Sequence, residues 1–309
     1  MRARAAPRLG VVATAVQRLA VLLSAGVPPG AAWRYLERGE SAVVDAVAAT
    51  SDGRPIAGAI AAAADVGPAV ERPAWRGLAA AWAVATEAGA PLAPSLRQFA
   101  SSLRALADAQ REIAVALSGP IATARLVMVL PAVGVVFGVV LGFDTVGVLF
   151  STGPGLVCLA LGVTLMFTAY LWNRRLVAAA QPSDLTPGLR LELMAIAVSG
   201  GGALDRAAAS VDRALDLSGL AGPGGASDDG ARVAAVLDLS RRAGVPAAEL
   251  LRSEADEARR AARAAAAARA SVLAVRLMLP LGLCILPAFM LLGVAPLLLA
   301  VITSTVSPV

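Results

Sequence analysis

Three long stretches of this chain carry no charged residue, and they restrict the fold more than anything else in the sequence. The first covers 126–143 (LVMVLPAVGVVFGVVLGF), between Arg125 and Asp144. The second runs from Thr145 to Asn173 and stops at Arg174 and Arg175; the third follows Arg276 from Leu277 to Val309. A helix needs about 20 apolar residues to cross a bilayer, and each stretch supplies them. STGPG at 151–155 breaks the second stretch, so its helix is expected over 155–173. Pro131, Pro280 and Pro287 fall inside the stretches, which membrane helices tolerate where neighbouring groups satisfy the freed carbonyls. Composition agrees: 58% of the 309 residues are hydrophobic, 16% are charged and the mean hydropathy is +0.72.

Lysine is absent, so arginine alone marks the orientation. Arg174 and Arg175 close the second stretch, Arg263, Arg269 and Arg276 lead into the third, and the connector 144–154 holds one acid and no base. The positive-inside rule then puts 1–120 and 174–270 in the cytoplasm and 144–154 outside. The expectation is a multi-pass cell-membrane protein with spans at 121–143, 155–173 and 271–303 and an external tail at 304–309. The last stretch, with Pro296 near its end, also has the length for a re-entrant or hairpin arrangement.

The first 26 residues have a basic start, an apolar middle and a small-residue end, as a signal peptide does. Gln17 and Arg18 interrupt the apolar run, however, and Val16, Leu19, Ala20 and Leu23 follow the spacing of one helix face. An amphipathic helix is the better reading. Trp75, Leu78, Ala79 and Trp82 repeat that spacing, as do Leu96, Phe99, Ala100 and Leu103, and Leu204, Ala208, Val211 and Leu215. Strand patterns are nearly absent. The fold class expected is an all-α integral membrane protein with two cytoplasmic helical bundles, 1–120 and 174–270.

Each bundle is punctuated in the same way. SAGVPP (24–29), EAGAP (87–91) and RAGVP (242–246) all stop a helix at glycine and restart it at proline. Glycine takes the left-handed conformation just after a helix at no steric cost, and proline suits the first turn of the next. Gly26/Pro28, Gly89/Pro91 and Gly244/Pro246 are therefore helix–turn–helix joints, and Gly200 in SGGGAL (199–204) marks a fourth without the proline. The order repeats: joint, spacer, joint, charged helix, apolar span. AGAPLAPSLRQ (88–98) pairs with AGVPAAELLRS (243–253), keeping Leu96 with Leu251 and Arg97 with Arg252, so the chain reads as an internal duplication. Residues 218–231 (SGLAGPGGASDDGA) read as a loop.

LAVLLSAGVPPGAAWRYL (19–36), ATEAGAPLAPSLRQFA (85–100), LELMAIAVSGGGALDRAAASV (191–211) and LSRRAGVPAAELLRSEADEARR (239–260), in that order with three spans, resemble the F-domain family of type II secretion. Its members are polytopic inner-membrane platform proteins of type II secretion, type IV pilus and tight-adherence pilus machines. The resemblance implies an F-type domain in 174–270 and a non-catalytic part that couples a cytoplasmic secretion or pilus ATPase to pilin-like subunits. It also implies contact with a second copy or a second F-domain platform protein, and with the lipid bilayer. A small membrane transporter subunit and a membrane scaffold of another kind are the alternatives; a transporter would need mid-membrane charges, which the three stretches lack.

Catalytic chemistry finds no footing. Histidine is absent, which removes imidazole acid–base and metal chemistry, and Cys158 and Cys284 lie within apolar stretches. No Walker A loop, HExxH or GxSxG occurs; GGG at 200–202 lacks the strand before it that a phosphate cradle needs, and SDDG at 227–230 reads as a turn. No cofactor, metal or enzyme activity is expected. Net charge is +5, but aromatics are only 4%, without the basic and stacking clusters of a nucleic-acid binder. One charged face remains: Glu249, Arg252, Asp256, Arg259, Arg260 and Arg263, between Pro246 and the third span. It reads either as a solvated helix laced with ion pairs or as a docking face for a cytoplasmic partner.

Overall fold

The computed structural model describes residues 5–36, 41–50, 55–142, 145–179, 187–220, 226–296 and 298–299. Among them every regular element is helical. In chain order these are α1 (Ala5–Ser24), α2 (Pro29–Leu36), α3 (Ala42–Thr50), α4 (Ile56–Ala63), α5 (Arg72–Ala88), α6 (Leu92–Val140), α7 (Thr145–Ser151), α8 (Gly153–Ala179), α9 (Leu189–Ser199), α10 (Leu204–Leu217), α11 (Ala226–Ala243) and α12 (Ala247–Arg276). A further helical run from Met278 to Val294 alternates α-turns with π-helical segments at Leu281–Ile285 and Met290–Val294, around Pro280 and Pro287. Proline removes one backbone donor, and widening the helix locally is one way to re-seat the carbonyls it frees.

The helices form two compact units. One contains 1–112 and 182–265, the other 113–181 and 266–309. The first unit changes the expectation of two bundles, because both segments close around a single core. The reason lies in α5 and α9. Ten residues of α5, among them Trp75, Leu78 and Trp82, and eight of α9, from Leu189 to Ala197, are buried on nearly all sides. A helix apolar all round must be enclosed, and each segment owns one such helix with too few others to wrap it. α5 and α9 therefore pack on each other, with α10 against both. Trp33 of α2 fills the space beside them, its ring centroid 6.5 Å from Trp75 and 6.1 Å from Trp82. α1 lays Val12, Val16, Leu19 and Ala20, all fully buried, into the same core.

The second unit is arranged in the opposite sense, with large apolar side chains outward. Leu126, Val129, Val133, Phe137 and Val140 on α6, and Leu156, Leu161 and Phe167 on α8, are exposed. Inside, glycines stand at the closest helix contacts, and Ile285 and Leu292 are buried. A Cβ on Gly134 would lie 3.2 Å from the Cα of Gly293, and one on Gly162 would lie 2.4 Å from Leu292 Cγ. Close backbone approach at small residues is how helices associate where lipid removes the hydrophobic drive. Gly153–Leu176 and the stretch Ala247–Val294 are long and apolar enough to cross a membrane. The expected span 121–143 lies at the end of α6, with Phe143 outside the described residues.

Two connections differ from the sequence expectation. The connector 144–154 is mostly helical: α7 turns back onto α8 at Thr152, whose hydroxyl oxygen accepts from Gly155 N at 3.1 Å and caps the new helix. The loop expected over 218–231 is shorter, since α11 starts at Ala226 with Asp229 in its first turn, where an acid suits the helix dipole. Residues 221–225, Asp144 and the tail 304–309 lie outside the described residues.

Candidate functional site

The helix joints set where the charged face points. Gly26, Gly89 and Gly244 have φ of 85°, 66° and 69°, the left-handed setting that glycine adopts freely. Pro28, Pro91 and Pro246 stand just ahead of α2, α6 and α12. At the fourth joint the left-handed residue is Gly201 (φ 81°), while Gly200 has φ −75°. Gly200 is needed for space instead: a Cβ there would sit 2.0 Å from the carbonyl oxygen of Ala88. The ends of α5 and α9, one from each segment, touch backbone to backbone at that point.

α10 is clamped to the same end of α5 by polar contacts. Ser210 Oγ donates to Glu87 Oε2 at 2.8 Å, and Arg213 Nη1 donates to Oε1 at 2.7 Å. The Ser210 hydrogen bond first, and then Arg213, hold the Glu87 carboxyl below its ordinary range despite some desolvation.

On α12, Glu249 and Arg260 are exposed, and Arg252, Asp256 and Arg263 are half-buried. At 3.6 residues per turn these five share one face, opposite Leu251, Ala255 and Ala258 in the core. Arg260 is tied to Glu257 by two hydrogen bonds of 3.0 and 2.8 Å. Arg259 does not belong with them. It lies at the edge between the two faces, turns inward and is only 7% exposed. The docking face expected from the sequence therefore loses Arg259, because a long guanidinium stem at such an edge position reaches the interior as readily as water.

What draws it in is Glu192 of α9, 3% exposed, which pairs with Arg259 through Oε2. Arg259 Nη1 also donates to Asp256 Oδ1 at 2.7 Å, and Ser102 Oγ of α6 lies 3.3 Å from Glu192 Oε2. Glu192 Oε1 is buried without a hydrogen-bond partner. Burial raises the Glu192 carboxyl above its ordinary range, outweighing the opposing pull of Arg259 and Ser102. The cluster joins α6, α9 and α12. Its signal in the sequence is the lone acid inside LELMAIAV (191–198), since a charge in an apolar run requires a buried partner.

Among the described residues no group of three or more His, Cys, Asp or Glu is placed to hold a metal ion. The arrangement offers a rigid core, a charged helix face and apolar helices. Residues 15–140 match the model of the family described as Type II secretion system (T2SS), protein F. The match falls on α1–α6. Comparison with curated proteins and with solved structures finds no match. Proteins of the matched family are non-catalytic platform proteins of secretion and pilus machines.

Proposed function

We propose, on the premise that residues 15–140 are a type II secretion system protein F domain, that this chain is the inner-membrane platform of a tight-adherence-like pilus or type II secretion machine. A cytoplasmic ATPase does the work, and the shared helical core passes its motion through α6 and α12 to pilin-like subunits beside the spans. The core common to 1–112 and 182–265 is the observation that supports this reading most. Both segments must then lie on one side of the membrane, so 113–181 crosses an even number of times. α8 accounts for one crossing, and the end of α6, with 121–143, is left for the other. Arginines at 174, 175 and 276, and none in 144–154, support a cytoplasmic core. α6 (Leu92–Val140) and α12 (Ala247–Arg276) are each continuous helices, and a continuous helix passes on a push that a flexible linker would absorb.

The exposed side of α12 is the face offered to the ATPase or to a second F-domain platform protein. Reversing Arg252 and Arg263 to Glu should weaken co-purification of the ATPase about tenfold or more, through lost charge complementarity, with thermal unfolding unchanged. ATPase retention at the wild-type level by that folded double variant would contradict this assignment.

A further inference from the structure

Below Leu251, the side of α12 that faces the first unit's core is nearly featureless. Ala255 is fully buried, Ala258 nearly so, and the only large side chain that enters beside them is Arg259. Where α9 begins, at Gly188, the approach is backbone to backbone: a Cβ there would lie 2.9 Å from the Ala255 carbonyl oxygen. An alanine face against glycine and backbone satisfies packing at several rotations and offsets, because it has no knobs to fit particular holes. Shape complementarity is what selects one arrangement in a core, and past Leu251 the small side chains of Ala255 and Ala258 contribute little of it. A directional buried ion pair selects one arrangement by other means, as a single polar residue fixes register in coiled coils.

We infer that the Glu192–Arg259 pair is a register pin: these two positioning residues set the rotation and offset of α12 on α9, and with them the direction of the exposed face bearing Glu249, Arg252, Arg260 and Arg263. Asp256 holds the second nitrogen of the guanidinium, so Arg259 is fixed at both ends of its fork. Ser102 brings α6 to the same carboxylate. The pin therefore references both long helices to one point on α9. Its contribution is to uniqueness more than to stability, since a buried pair with one orphaned carboxylate oxygen gains little over an apolar pair of similar size.

The inference concerns the isolated protein and stands or falls apart from the platform reading. Its test is a distance measurement on the purified full chain in detergent. Spin labels at Ser199→Cys and Ala261→Cys, with Cys158→Ala and Cys284→Ala removing the native thiols, report α9 against α12. The unaltered pair should give one narrow distance. Glu192→Leu with Arg259→Leu should fold yet give a distribution at least twice as wide, and the charge swap Glu192→Arg with Arg259→Glu should narrow it again. Should the leucine pair fail to fold, Glu192→Gln, which keeps the size and removes the charge, takes its place with the same expected widening. A distribution as narrow as the unaltered one in the folded leucine or glutamine variant overturns the pin, as does a folded charge swap that stays wide.

Discussion

Two glycines at helix ends serve different physical needs, and substitution separates them. Gly244 is left-handed with open space around its Cβ position, so Gly244→Ala costs the backbone conformation alone, about 1 kcal/mol. Gly200 has an ordinary φ but faces the Ala88 carbonyl, which is backbone and cannot swing aside. Gly200→Ala should cost more, up to about 3 kcal/mol, as overpacked cores do. Denaturant midpoints of the two variants check the order. Glu192 gives a pH signature. Its folded pKa lies above the ordinary 4.5, so the folded state holds the proton longer than the unfolded chain and stability falls as pH rises from 4.5 through the raised value. Glu87, lowered, works the other way: its contribution is present above 4.5 and lost as pH falls below it, weakly because its side chain is 45% exposed. Glu192→Gln should flatten the decline above 4.5 in a series of melts across pH, and an unchanged slope would assign the decline to other groups.

At the scale of elements, pattern was a good guide where one face is apolar and a poor one where all faces are. The stripes Trp75–Trp82 and Leu96–Leu103 are buried as their spacing requires. In α10 the buried face is rotated slightly, to Ala207, Val211, Ala214 and Leu215, because Ser210 turns in to reach Glu87. α9 has no stripe at all, and periodicity cannot say which neighbours enclose a helix buried all round; the merger of the two segments was hidden there. Arg259 was hidden for a related reason, since spacing put it on the charged face and only its partner on α9 decides otherwise. In the second unit the packing rests on absent side chains. Gly134→Leu should force α6 from Gly293 and lower the melting temperature in detergent by several degrees, whereas Gly282→Ala, with nothing within 4 Å, should be neutral. Equal melting of both variants would count against the contact.

Across the whole molecule, what the sequence made legible was order: joint, spacer, joint, charged helix, apolar stretch, twice over. That order carried the family resemblance, and the match over 15–140 bears it out for the first half. Joint chemistry is local, so glycine and proline display it in any context. Which helices share a core depends on contacts between residues far apart in sequence, such as Ser210 with Glu87, and no short pattern records those. The central claim is that both hydrophilic segments form one core on the cytoplasmic side, joined by an even number of crossings. Fusions of a reporter active only outside the cytoplasm test it most directly, one placed at Thr152 and one at Gly222. The account predicts activity at Thr152 and none at Gly222; activity at Gly222 would put the second segment outside the cytoplasm and contradict it.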